Sequence, residues 1–222
     1  MTITIAEMRE EAVEEDEKNR TNVKVYTDGS ETGGKISAAA VLYRGGRMTS
    51  ILRCRLGSAK CHTVYEGECI GALMGLKLIE REENIHAATF GIDNHAAITS
   101  TNSIRPATGH YILDKIHNEY HNSRTIHNLR LQINIQWTPG HEGIAGNEKA
   151  DEEAKEAATK GSSDKRHLPE MLQTQLPWRK LAVKQAYMVK LKTAAKKVWT
   201  TSKHYKKLKQ TDPSHHQKNT MT

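Results

Sequence analysis

The chain has 222 residues, 36% of them hydrophobic with a single Phe, and a formal net charge of +7 with an isoelectric point near 9.2. That length allows one ordinary domain and an extension, with a core built from Ile, Leu, Val and Ala, and the basic balance suits a polyanionic partner. Three cysteines (Cys54, Cys61, Cys69) with no Cys-x-x-Cys pair argue against a disulfide framework or a zinc site; no apolar run approaches the roughly 20 residues of a bilayer span; and the acidic N-terminal segment (Glu7, Glu10, Glu11, Glu14, Glu15, Asp16) is unlike a secretory signal, so an intracellular location, nuclear or cytoplasmic, is expected.

Residues 1–21 read as a charged lead-in. Val23, Val25 and Thr27 alternate with Lys24 and Tyr26 as in a strand, and Gly29, Ser30, Gly33 and Gly34 are expected to form the following turn. A second strand over 38–43, a Gly45-Gly46 hairpin turn and a third strand over 48–56 complete a predicted antiparallel meander. A long helix is predicted over 63–83, a short buried strand over 88–92, helices over 96–101 and 107–123, a fifth strand over 131–137, and a helix over 148–159 with Asn147 as its N-cap. This order describes a mixed α/β sheet with helices on its faces, spanning 22–160. From Lys160-Gly161-Ser162-Ser163-Asp164 onward the composition changes to a linker, and 177–204 reads as a Lys-rich helix followed by a polar tail.

Four acids stand in settings that draw them together. Asp28 and Asp93 both end apolar β-runs, where a side chain projects past the sheet, although Asp28-Gly29 also fits a simple turn. In the long helix Glu66 and Glu68 point nearly opposite ways. Glu66 shares a face with Lys77 and Glu80 and is expected in solvent. Glu68 shares the other with Gly71, Ala72, Gly75 and Ile79, an inward face where a carboxylate needs a partner or stays protonated. Asp151 borders an alanine face (Ala150, Ala154, Ala157, Ala158); it serves there either as a site residue or as a helix-dipole partner. His141, flanked by Pro139, Gly140 and Gly143, is either a solvated loop histidine or a mobile near-neutral base. Converging carboxylates repel unless a cation lies among them, which suits a divalent-metal phosphodiesterase.

At these residues the sequence resembles type I ribonuclease H, most of all the domains found in reverse-transcriptase polyproteins of non-LTR retroelements. The motifs are Tyr-Thr-Asp28-Gly-Ser, Glu68 with its Gly-Ala helix, Ile-Asp93-Asn, Trp-Thr-Pro-Gly-His141 and Gly-Asn147-Glu-Lys-Ala-Asp151. The resemblance implies a five-stranded mixed sheet in order 3-2-1-4-5. It implies Asp28, Glu68, Asp93 and Asp151 as ligands of two Mg²⁺ ions, with Mn²⁺ as a substitute, and His141 as an assisting residue. The implied substrate is an RNA–DNA hybrid, cut in its RNA strand to leave 5′-phosphate and 3′-hydroxyl ends, and the implied partner is a reverse-transcriptase domain upstream. Gly29, Ser30, Thr63 and Asn94 are the candidate nucleic-acid contacts. Val64-Tyr65 stands where some members carry paired Asn, and 96–110 lacks the basic, Trp-containing insertion that others have. The competing expectation is a duplex-binding or connector domain that does not cut.

Overall fold

A computed structural model describes residues 1–100, 110–127, 129–178, 180–202, 204–205 and 207. Contacts divide the chain into two units, Met1–Pro177 and Trp178–Thr222. The first is an α/β unit built on a mixed sheet of six strands: β1 (Thr2–Thr4), β2 (Val23–Thr32), β3 (Lys35–Arg44), β4 (Arg47–Ser58), β5 (Ala87–Ile92) and β6 (Gln132–Trp137), in the order β1-β6-β5-β2-β3-β4. The five expected strands keep their expected order. The sixth, β1, comes from the supposed lead-in and pairs parallel with β6, Ile3 opposite Ile135. At three residues it is too short for alternation to reveal it.

The rest of the lead-in is ordered as well. Helix α1 (Arg9–Lys18) buries Ala12 and Asp16. The Tyr26 hydroxyl donates to both Asp16 oxygens, at 2.9 and 3.0 Å, and the Asn19 amide donates to Thr89 and Gln136 on the sheet.

The sheet is packed differently on its two faces. On one lie Val23 and Val25 of β2 with Ile36, Ala38, Ala40 and Leu42 of β3, in a cluster with Ile70, Leu73, Met74 and other apolar residues of α2 (Val64–Glu80). On the other, Tyr26 and Val41 meet Ile144 and Ala150, the latter in α5 (Ala145–Lys160), and the Ser37 hydroxyl donates to the Ala154 carbonyl at 2.7 Å. Period-two alternation along β2 and β3 therefore feeds two helices from one pair of strands. Helix α3 (His95–Ser100) follows β5, and α4 (His110–Ile126) packs on α2; the part of the expected 96–101 and 107–123 helices over 101–109 lies outside the described residues.

Two expected boundaries move. Gly29 and Ser30 lie inside β2, paired with Ala38 and Ser37, and the turn falls at Gly33 (φ 59°) and Gly34 (φ 71°), where only a residue without Cβ is unstrained. The segment expected as a linker after 160 belongs to the unit. The Ser162 and Ser163 hydroxyls accept from the Arg55 and Arg53 N–H groups of the edge strand β4, at 2.9 and 3.0 Å, and the Ser163 N–H returns a bond to the Arg53 carbonyl. Two short 3₁₀ turns follow (Lys165–His167 and Glu170–Leu172), and Leu168, Leu172 and Leu176 are buried in the main core. The second unit contains α6 (Lys180–Thr201).

Candidate active site

Strand register sets the site. Parallel pairing of β2 with β5 ends at Thr27 opposite Ile92, so Asp28 and Asp93 are the next residue on each strand and emerge side by side. Asp93 is fixed from a third strand: the Trp137 indole N–H donates to its carbonyl at 3.1 Å, and the Thr138 N–H donates to the Ile92 carbonyl at 2.9 Å.

Glu68 arrives from above, carried by the close approach of α2. A Cβ placed on Gly29 would lie 2.3 Å from the Glu68 nitrogen, and one on Gly71 would lie 3.1 Å from the Thr27 Cβ. Glycine on both surfaces lets the helix backbone rest on the strand. Asp28, Glu68 and Asp93 each present an oxygen so that all three atoms lie within 4.8 Å of one another.

This cluster is costly as protein alone. Asp28 is 6% exposed and Glu68 3% exposed, and Asp28 Oδ2 and Glu68 Oε2 are buried with no hydrogen-bond partner. Burial, then repulsion from Asp93 and Asp151, pushes the Asp28 carboxyl up to about 7, against a weaker pull from Lys155. Burial, then Asp93 and Asp28, pushes Glu68 up to about 10, with the Gly29 N–H opposing the shift. Asp93 also rises, chiefly by burial; its hydrogen bond with Glu68 and the nearby His141 restrain the rise. Without a cation, Glu68 holds a proton and donates it toward Asp93.

Asp151 reaches the same field from α5. Its charge raises both Asp28 and Asp93, but it lies outside the three-acid group and its Oδ2 is 2.6 Å from the Lys155 ammonium. Helix α5 begins at Ala145 with Ile144 as its cap, so Asp151 sits in the second turn. Asn147 is not the cap but a residue within the helix, buried with Oδ1 unpartnered. The cap signal of Asn147 was overridden by tertiary packing: a Cβ on Gly146 would strike the Tyr26 ring at 2.2 Å, so the first turn is pressed against β2.

His141 is exposed in the loop after β6 and has φ 61°, a left-handed conformation rare for a side-chain-bearing residue. Its neighbour Gly140 abuts the site; a Cβ there would lie 3.2 Å from Asp93 Oδ2.

The four candidate contact residues have structural work. Gly29 is buried beneath α2. The Thr63 hydroxyl accepts from the Glu66 N–H at 3.2 Å as the α2 cap, and Asn94 Oδ1 accepts from the Ala97 N–H at 3.0 Å at the start of α3. Ser30 is half-buried, its hydroxyl 3.5 Å from that of Thr32.

Glu66, expected in solvent, is 1% exposed. It is the third residue of a capping box, so its carboxylate folds back to accept from the Thr63 N–H at 2.7 Å rather than extending outward. Burial would raise it, but His62 and Thr63 prevail and hold it below its ordinary value. Lys155 was missed by the sequence reading. Its i,i+4 spacing from Asp151 was the available signal.

The ribonuclease H family model matches residues 20–159, which include all four acids and His141. The chain belongs to the ribonuclease H family. No curated protein matches it. Among solved structures, RNase H1 from the halophilic archaeon Halobacterium salinarum NRC-1 aligns at TM-score 0.45 and 17% identity, over 62% of this chain and 97% of its own. The foamy viral protease-reverse transcriptase in complex with RNA/DNA hybrid aligns at 0.49 and 16%, over 63% of this chain and 20% of its own. LC11-RNase H1 in complex with RNA/DNA hybrid aligns at 0.43 and 12%, over 62% and 99%. At these identities the ribonuclease H assignment rests on the family match.

Proposed function

We propose that this ribonuclease H domain hydrolyses the RNA strand of RNA–DNA hybrids in a metal-dependent reaction. The observation that carries the reading is the triad of buried Asp28 and Glu68 with half-buried Asp93, two of whose oxygens lack any partner. An all-carboxylate donor set suits a hard divalent cation, Mg²⁺ or Mn²⁺, rather than a soft one. Asp28, Glu68 and Asp93 would hold the first ion. Asp28, which feels both Asp93 and Asp151, would be shared with a second, completed by Asp151. When bound, the ions supply an activated water and charge neutralisation at the phosphodiester.

The chain's own groups do the rest. Burial of Asp28 and Glu68 keeps bulk water from competing for their carboxylates, and the Gly29 N–H orients Glu68. His141, on the exposed loop beside Asp93, is assigned to deliver a proton to the departing 3′-oxygen or to assist product release, leaving a 3′-hydroxyl and a 5′-phosphate. A reverse-transcriptase domain encoded upstream is the proposed partner, supported by the motif resemblance and tested by reading the surrounding open reading frame.

The test uses labelled RNA–DNA, DNA–DNA and RNA–RNA duplexes with and without Mg²⁺. The expected result is cleavage of the hybrid's RNA strand alone, abolished by chelation and lowered about 10³-fold or more by Asp93→Asn. Undiminished cleavage by Asp93→Asn, or binding with no cleavage by the unaltered protein, would overturn the reading.

A further inference from the structure

The chain's charge is divided unevenly. Residues 178–222 hold 12 of the 33 Lys and Arg and one of the 26 Asp and Glu, a net +11, so residues 1–177 carry −4 within the total of +7. The basic character that suits a polyanion belongs wholly to the second unit, while the unit bearing the acids would repel a phosphate backbone at long range.

Along α6 no acid stands in sequence to offset the lysines. No Asp or Glu occurs from Trp178 to Thr211, so α6 has no internal i,i+4 ion pairs of the kind that occupy Lys149, Lys155 and Lys160 on α5. Lys184, Lys190, Lys192, Lys196 and Lys197 are all exposed, and Tyr187 and Trp199 are exposed among them.

The distribution of lysines around α6 selects the polyanion. A helix that lies on a bilayer keeps its cations on one face and its apolar residues on the other. Here Lys184 and Lys192 each stand four residues from Met188, on the side that also carries Leu191, while Lys190, Lys196 and Lys197 lie at other angles around the helix. Cations on all sides with interleaved aromatics fit a rod of phosphates, whose backbone can be met by several lysines at once and whose bases offer stacking surfaces.

We propose that α6 forms the nucleic-acid-holding element of this enzyme: a sequence-independent phosphate-binding arm that supplies affinity for the substrate duplex which the acidic catalytic unit cannot supply itself. Tethered to the catalytic unit, it raises the local concentration of substrate without reading its sequence. The inference rests on the proposed nucleic-acid substrate.

The test uses the full chain with Lys190, Lys192, Lys196 and Lys197 all changed to Gln, and separately all changed to Arg, with helix content checked by circular dichroism. Binding of a labelled RNA–DNA hybrid is measured with chelator present, so it is read whether or not the protein cuts. The Gln variant is expected to bind about tenfold or more weakly, with a log K against log salt slope shallower by roughly 2 to 4, and the Arg variant to bind like the unaltered protein. If the unaltered protein cleaves, the Gln variant should show a raised KM at unchanged kcat. Unchanged affinity and salt slope in the Gln variant would overturn the proposal. So would equal loss in the Arg variant, or a Gln variant that loses binding to phosphatidylserine vesicles but not to the hybrid. Absence of cleavage by the unaltered protein, with binding lost as expected, would sink the proposed activity and leave the arm standing.

Discussion

Asp28 and Glu68 are held in a protonation state that a cation would reverse. Their folded values, about 7 and about 10, lie above the ordinary carboxylate range. The stability they contribute is therefore complete below that range and is lost as pH rises through about 7 for Asp28 and about 10 for Glu68. Glu68→Gln, which keeps the shape and the donor toward Asp93 but never ionises, should stabilise the metal-free protein at pH 8 by on the order of 2 kcal/mol, and the gain should shrink toward pH 4. Denaturant titrations in chelator at the two pH values measure this. A variant less stable than the unaltered protein at pH 8 would show that Glu68 is not the strained group described. These acids were legible in the sequence because each sits in a distinctive local frame. Glu66 was misread because helical periodicity predicts where a side chain starts, not that an N3 carboxylate turns back to its own cap.

At the scale of elements, the site depends on how closely α2 lies on β2. Gly29→Ala would force a Cβ against backbone atoms of Gly67 and Glu68, at 2.6 and 2.3 Å, where no flexible side chain can yield. The expected cost is about 3 kcal/mol, with loss of any Mg²⁺-dependent gain in thermal stability, because Glu68 is displaced with the helix. Thermal unfolding with and without Mg²⁺ checks both; a variant that retains the metal-dependent gain would contradict the packing account. Sequence patterning revealed α2 and its small-residue face, since Gly71 and Gly75 repeat at helical spacing beside Glu68. It did not reveal that Ser162-Ser163 close the β4 edge. Serines that look like linker residues by composition become strand partners only when an edge N–H is within reach, which depends on long-range folding. Leu168, Leu172 and Leu176 recur every fourth residue, a helical spacing, yet they reach the core from short 3₁₀ turns and irregular chain.

For the whole molecule, burial is concentrated in one unit. The central strands β2 and β3 and helix α2 are lined by buried residues, whereas in α6 Ala182 alone is buried among the described positions. Native-state hydrogen exchange should find amides of β2, β3 and α2 protected near the global unfolding limit and those of 180–201 exchanging by far smaller openings. Equal protection across both would contradict the exposure of α6. The three-strand meander was readable from its hairpin turns and alternating strands, while the order of the whole sheet was implied by the motif resemblance alone. The domain's limits were not readable, because the N-terminal strand is short and the C-terminal segment joins the core through those leucines.

The claim beneath all of this is that the clustered carboxylates of Asp28, Glu68 and Asp93 are built to hold a divalent cation. Anomalous scattering from crystals soaked in Mn²⁺ tests it most directly. The account predicts a metal peak coordinated by oxygens of all three side chains. A fully occupied soak whose manganese binds elsewhere, with Glu68 still sharing its proton with Asp93, would contradict it.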